Sequence, residues 1–421
     1  MKNIRKVIVG MLLMILVCSM IGCGKQEKES SSSTEENTMA EESVTTEEIE
    51  KQDNEIDDST RDTKIQTALE NMTVQEKIGQ LLIVNLELLD DNSDCVKITK
   101  AMKEKIKNYS VGGVIFFARN IENPKQSKQL IQNLQKTSKI PMFISVDEEG
   151  GEISRIGNNP KMKTTKFPSM AEIGKTGDEN KAFHVGDTIG KEIKELGFNL
   201  DFAPVADLET NPDSPEIGKR AFSDNPEVAA KMVAKVVEGL QGQNVSATLK
   251  HFPGHGSAKD DTHKGYADIN QSIKQLREVE FVPFQAGIEA GVDLIMVSHL
   301  TICNVTGGKT PASLSPLMIT EILRNELGYQ NLIITDALNM KAITKFYSSG
   351  DAAVMALSAG ADLLLMPENL EEAFDAIYQA ILEKKLDEKR IDESITRILK
   401  VKLERGVIKE DDPLFVKKQT K

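Results

Sequence analysis

Tryptophan is absent from this 421-residue sequence, and aromatic residues make up only 5% of it. The few aromatics are nowhere interleaved with a basic patch, which excludes the usual footprint of a nucleic-acid-binding protein. Positive charge is also in deficit: 52 Lys and Arg face 65 Asp and Glu, a formal net charge of −13. Cysteine is scarce, with four residues at positions 18, 23, 95 and 303 and no CxxC or other zinc spacing. Cys95 and Cys303 could pair outside the cell, but their separation in sequence gives no geometric reason for it. No internal repeat is visible, and no Gly-rich phosphate fingerprint follows the first candidate strand.

The N-terminus has a different character. Lys2, Arg5 and Lys6 precede an uncharged apolar run over residues 7–21, and Gly22-Cys23 follow at its end. That is a secretory signal layout, with a small residue before a cysteine. The run is shorter than the roughly 20 residues of a membrane-spanning helix. It resembles the lipobox of bacterial lipoproteins, which implies cleavage after residue 22, lipidation of Cys23 and an extracytoplasmic address on the cell membrane. Residues 24–62 are dominated by Ser, Thr, Glu and Asp, with 14 acidic against 4 basic residues. Such a segment has too little apolar surface to offset its ordering entropy. Residues 23–62 are therefore expected to be a disordered, self-repelling tether. Most of the chain's acidity belongs to this spacer, so it says little about a partner.

Residues 63–415 are expected to form one folded domain. Short apolar runs at 81–86, 113–117, 142–146, 200–204, 247–251, 294–298, 332–335 and 362–366 alternate with helical segments. The runs are nearly continuous in apolar character, as strands buried on both faces should be. Helical periods are expected at 124–139, 228–243, 273–290, 317–327 and 369–383, with a C-terminal helix at 387–405 closing the wall. Asn123 is placed to cap the first of these, with Pro124 at its first position. Alternating β and α elements imply a parallel sheet. Eight strands point to α/β architecture of the (β/α)8 TIM-barrel type, the alternative being an open doubly wound sheet. In such barrels chemistry sits at the C-terminal strand ends.

The polar residues at those ends are informative. After the third run comes Asp147-Glu148-Glu149-Gly150-Gly151-Glu152-Ile153-Ser154-Arg155; after the fourth come Asp207 and, in an insertion, Lys219-Arg220-Ala221-Phe222. The fifth run ends in Lys250-His251-Phe252-Pro253-Gly254-His255-Gly256, then Asp261-Thr262-His263. His299 follows the sixth run and Asp336 the seventh. Lys250 and His251 are adjacent and would face opposite ways on a regular strand. Both reach one pocket only if the backbone is distorted, and a cis bond before Pro253 is expected there. Asp336 suits either a helix N-cap or a nucleophile at the mouth. Asp261 and His263 suit either a polar surface loop or a carboxylate–imidazole proton-transfer pair. His251, His255, Asp261 and His263 also raise a metal site, but Pro253-Gly254 argue against the helix that a His pair four apart would need.

The run from Lys250 to Gly256 followed by Asp261-Thr262-His263 resembles the signature of glycoside hydrolase family 3. More narrowly, it is similar to the bacterial β-N-acetylglucosaminidase (β-hexosaminidase) branch, and the likeness extends from about Ala68 to Arg405. The segments Asp147–Arg155 and Lys219–Phe222 match that branch's sugar-binding motifs in the same order. The resemblance implies Asp336 as nucleophile, His263 as general acid/base and Asp261 as its partner. Asp147, Arg155, Arg220, Lys250 and His251 would hold the N-acetylglucosamine ring. It also implies retention of configuration and no metal or organic cofactor. The substrate would be a carbohydrate, such as a peptidoglycan fragment, with phosphate able to replace water as acceptor. A monomer is expected. Glu152 stands where the family usually has Arg, and Thr262 where it usually has Ser. The competing readings are another family 3 β-glycosidase, a non-catalytic muropeptide-binding lipoprotein and a metal-dependent hydrolase.

Overall fold

The computed structural model describes residues 46–90, 95–211, 216–258, 262, 265 and 267–417. The signal segment, Cys23, Asp261 and His263 lie outside the described residues. Every apolar run expected as a strand forms one: β1 Leu82–Asn85, β2 Gly113–Phe116, β3 Phe143–Val146, β4 Leu200–Asp201, β5 Thr248–Phe252, β6 Leu294–Val297, β7 Leu332–Thr335 and β8 Leu364–Leu365. All are buried along their length except Asn85. They form two parallel sheets, β8-β1-β2-β3-β4 and β5-β6-β7. The sheet edges meet through isolated parallel bridges, Leu200–Ser246 and Val205–Lys250 on one side and Ile334–Leu363 on the other.

The helices between strands follow their capping chemistry. Asn123 accepts from Gln126 N at 3.1 Å and Pro124 opens the helix Pro124–Thr137, as expected. Asn225 and Pro226 repeat the device at Pro226–Gly242. The segment expected as 273–290 is helical from Ile273 to Glu289, with a π-helical stretch over Leu276–Glu280. The expected C-terminal helix spans Glu388–Glu404.

One expectation is corrected. A helix runs Thr46–Asn71, so the last part of the expected disordered tether is helical and the boundary at 62 falls inside the element. Its sequence has no Gly or Pro to interrupt the helix. Its C-terminal part is held by tertiary packing, with Ile65 and Ala68 buried in the core. Among the described residues no helix is long and apolar enough to cross a membrane.

The N-terminal ends of the strands are closed by polar staples. Lys402, on the C-terminal helix, is fully buried. Its Nζ donates to Gln80 Oε1 at 2.8 Å, Gly112 O at 3.2 Å and Pro141 O at 2.7 Å, just ahead of β1, β2 and β3. Before β8, the buried Asp362 carboxylate meets Arg324, Arg390 at 3.3 Å and Arg397 at 3.1 Å. It also accepts from Ser394 Oγ at 2.8 Å and Ile333 N at 2.9 Å. Asn71 Nδ2 donates to Leu414 O and Val416 O, joining the N-terminal helix to the chain's C-terminal segment.

Candidate active site

At the opposite, C-terminal ends of the strands lies a cavity of about 320 Å³. Its wall begins with the loop after β3. Glu148–Gly150 pairs antiparallel with Ile153–Ser154 in a tight hairpin. Gly150 and Gly151 turn it at φ +84° and +62°, a left-handed region that favours glycine. A Cβ on Gly151 would also stand 2.9 Å from the Ser169 Cα. Asp147, Glu149, Ile153 and Arg155 line the cavity. Glu148 is buried and anchors the hairpin, accepting from Ser154 Oγ, Ile156 N at 2.7 Å and Gly157 N at 2.9 Å. Glu152 is exposed at the hairpin tip and is not among the cavity-lining residues.

The next pieces come from β4, β5 and the loops after them. Lys250 and His251 both line the cavity, and the peptide bond between them is cis. The bond before Pro253 is also cis, as expected, and so is the one before Pro204. Lys250 Nζ lies 2.9 Å from Asp147 Oδ1 and 2.7 Å from Glu149 Oε1. Arg220 grips Glu149 with two nitrogens, Nε at 2.9 Å and Nη2 at 2.7 Å. Arg155 Nη2 stands 3.6 Å from Asp147 Oδ2. Burial alone would raise the Glu149 carboxyl, but Arg220 and Lys250 outweigh it and hold it well below the usual carboxylate range. Burial works against the Lys250 charge, yet Asp147 and Glu149 lift its pKa above the ordinary value. The result is an interlocked set of charged side chains along the cavity wall.

Asp207 organises the histidines. Its Oδ2 accepts from His251 N at 3.0 Å and contacts His251 Nδ1 at 2.7 Å; its Oδ1 accepts from His255 N at 2.6 Å. A carboxylate only accepts, so Nδ1 of His251 carries the proton and Nε2 is the nitrogen left for a ligand. Burial pushes the Asp207 carboxyl up, but His251 and His255 together bring it below its ordinary value. His255 is itself buried, and its Nε2 stands 2.7 Å from Glu216 Oε2. His299 is buried too, with Nδ1 2.7 Å from Ser313 Oγ and Nε2 2.9 Å from the Ala337 carbonyl.

Asp336 lines the same cavity. Its backbone N donates to Val297 O at 2.9 Å, and its Oδ1 accepts from Ala337 N at 2.7 Å. The next helix begins at Lys341 with Met340 as its N-cap, so Asp336 is not a helix cap. Asp147, Arg155, Arg220, Lys250, His251 and Asp336, singled out from sequence, therefore converge on one cavity. Glu149 and Glu216 also line it and were not assigned there. Glu149 had a signal, since it stands two residues from Asp147 and shares its face of the hairpin. Glu216 lies in an insertion with no periodic pattern. Among the described residues no group of three or more His, Cys, Asp or Glu side chains could hold a metal.

The chain matches the family pattern described as "Glycosyl hydrolase family 3 N terminal domain" over residues 73–401. It is 32% identical over 368 residues to beta-hexosaminidase A of Pseudoalteromonas piscicida, covering 79% of this chain and 61% of that protein. It is 35% identical over 292 residues to a beta-hexosaminidase of Stenotrophomonas maltophilia, covering 67% of this chain and 84% of that one. A similar solved structure is a glycoside hydrolase family 3 beta-N-acetylglucosaminidase from Paenibacillus sp. str. FPU-7, at 35% identity and a TM-score of 0.75, covering 81% of this chain and 65% of that one. The chain thus spans less than two thirds of the Pseudoalteromonas and Paenibacillus proteins. The pattern takes in all eight strands and every cavity residue named above, and on that ground the chain belongs to glycoside hydrolase family 3.

Proposed function

We propose that the protein is a retaining exo-glycosidase that hydrolyses terminal, non-reducing β-linked N-acetylglucosamine. The observation that carries this reading is the meeting of Asp336 with Asp147, Arg155, Arg220, Lys250 and His251 in one cavity. At about 320 Å³ the cavity is near the small end of ligand pockets, roughly 300–1,000 Å³, which suits one sugar ring better than a long chain. The relatives named as hexosaminidases support the N-acetyl preference. The two sheets with their bridged edges are best read as a single closed (β/α)8 barrel, which supplies the one-ended cavity.

The chemistry is double displacement. An Asp336 carboxylate oxygen bonds to C1 as the bond from C1 to the leaving oxygen breaks. That oxygen takes the proton of the His263 imidazolium, which Asp261 stabilises. Water then attacks C1 and gives its proton to the neutral imidazole, and the bond from Asp336 to C1 breaks. The fixed cations and hydrogen-bonding groups of the wall orient the ring without reorganising during the reaction. The N-acetyl group is recognised but does not replace Asp336 as nucleophile. No cofactor enters either step.

The natural substrate is a peptidoglycan fragment, met outside the cell by an enzyme held to the membrane through lipidated Cys23 and the acidic segment after it. The test is turnover by the full chain of p-nitrophenyl β-N-acetylglucosaminide and p-nitrophenyl β-glucoside, with and without phosphate. Preference for the N-acetyl substrate in plain buffer supports the proposal. Activity on the glucoside alone refutes the substrate, and strong dependence on phosphate replaces hydrolysis by phosphorolysis.

A further inference from the structure

Glu216 has no part in the mechanism above, yet its carboxylate lies between two loops of the cavity wall. It lines the cavity at the head of the turn that supplies Arg220, whose Nη1 donates to the Glu216 carbonyl at 2.8 Å. The Glu216 side chain crosses to the loop after β5. There its Oε2 stands 2.7 Å from His255 Nε2. Thr262 Oγ1 donates to Oε1 at 3.2 Å and Oε2 at 3.3 Å, and also stands 3.4 Å from His255 Nε2. His255 and Thr262 are each about 1% exposed, so these contacts are made out of water. A carboxylate that links an imidazole and a hydroxyl in a buried site restricts all three groups to one arrangement.

We propose that Glu216 is a positioning residue: its carboxylate clamps His255 and Thr262, and so ties the loop that supplies Arg220 to the chain segment that contains Asp261 and His263. The inference rests on the reading of His263 as proton donor. Thr262 is the residue between the members of that pair in the sequence, so a clamp on Thr262 acts on both. Several groups face His255: Glu216 and Thr262 at Nε2, Asp207 at its backbone N, the His251 ring at 5.9 Å between centroids, and the charge of Asp336. Burial disfavours the imidazolium, but Glu216 first, then Asp207 and Asp336, raise the His255 pKa above its ordinary value. The clamp thereby keeps ion-pair character to a higher pH than an ordinary histidine would allow.

Glu216→Gln keeps the shape and removes the charge. Thr262→Val removes the donor, and Thr262→Ser restores it. The full-length variants are compared on two substrates: p-nitrophenyl β-N-acetylglucosaminide, whose leaving group needs little protonation, and an N-acetylglucosamine disaccharide, whose leaving group needs it fully. Glu216→Gln and Thr262→Val are expected to lower kcat on the disaccharide about tenfold or more, within the range of general-acid effects. They should change the aryl substrate much less, and Thr262→Ser should match the parent. Equal loss on both substrates, or no loss on either in an active parent, overturns the inference. A parent inactive on both substrates sinks the proposed function instead. The clamp itself then still has a test in NMR titration of His255: a lower imidazole pKa in Glu216→Gln supports it, and an unchanged one refutes it.

Discussion

Asp207→Asn offers the sharpest test of how the site is held together. Asp207 receives three hydrogen bonds, from His251 N, His251 Nδ1 and His255 N. All three partners are donors, and an amide has only one accepting oxygen. If that oxygen keeps both His251 bonds, the amide NH2 faces the His255 N–H and leaves a buried donor without an acceptor, at a cost of about 1–3 kcal/mol. The two bonds that survive lose their charge assistance, which removes about another 1 kcal/mol each. The expected destabilisation is therefore about 3–5 kcal/mol, read by urea unfolding of the full chain. His251 also loses the carboxylate that fixes its proton on Nδ1, so affinity for N-acetylglucosamine should fall in isothermal titration even where the protein remains folded. A loss of stability below about 1 kcal/mol would refute the reasoning, because it would mean that the three donors find acceptors elsewhere.

Other outcomes follow from the same structure. Asp336→Asn should abolish turnover while leaving sugar affinity and the unfolding midpoint close to the parent's; retained turnover would remove it as nucleophile. His263→Ala should slow substrates with poor leaving groups far more than activated aryl glycosides, and equal slowing would count against it as the acid. Burial lowers the Lys402 pKa from 10.5 to about 7. The folded protein therefore holds this proton less tightly than the unfolded chain. That penalty is fully present below about pH 7 and fades as pH rises towards 10.5, so stability should gain up to about 5 kcal/mol from this group across the window. Comparing unfolding free energies at pH 7 and pH 9.5 checks it: Lys402→Met should show a flatter pH dependence than the parent, and an identical slope would refute the assignment.

Much of the architecture was legible because strands buried on both faces leave continuous apolar runs, and each of the eight was found within a few residues. The distortion at Pro253 was legible for a different reason: Lys250 and His251 are neighbours that both needed one pocket. The helix Glu179–Leu196 was not anticipated, although Ala182, Val185, Ile189, Ile193 and Leu196 repeat at helical spacing. Small residues and Gly186 and Gly190 sit on the same buried stripe and dilute it. Gly186 is there because the Val236 carbonyl approaches within 2.4 Å of where a Cβ would stand, a close packing that only tertiary structure reveals. Asp207 was noticed at a strand end, but its role depends on partners 44 and 48 positions away. Glu216 was illegible for the same reason, since its meaning arises only where two loops cross.

The Asp362 cluster has a consequence for how the chain is made. The carboxylate sits at the start of β8, but Arg390, Ser394 and Arg397, three of its partners, lie on the helix Glu388–Glu404 near the end of the chain. A polypeptide emerging in order from its N-terminus therefore contains this buried anion well before the side chains that compensate for it. Until the helix Glu388–Glu404 arrives, a docked β8 would carry an undercompensated charge, which is costly to bury. Docking of β8 in its native environment is thus tied to synthesis of the segment Glu388–Glu404. A chain stopped before Arg390 should therefore fail to reach the native fold.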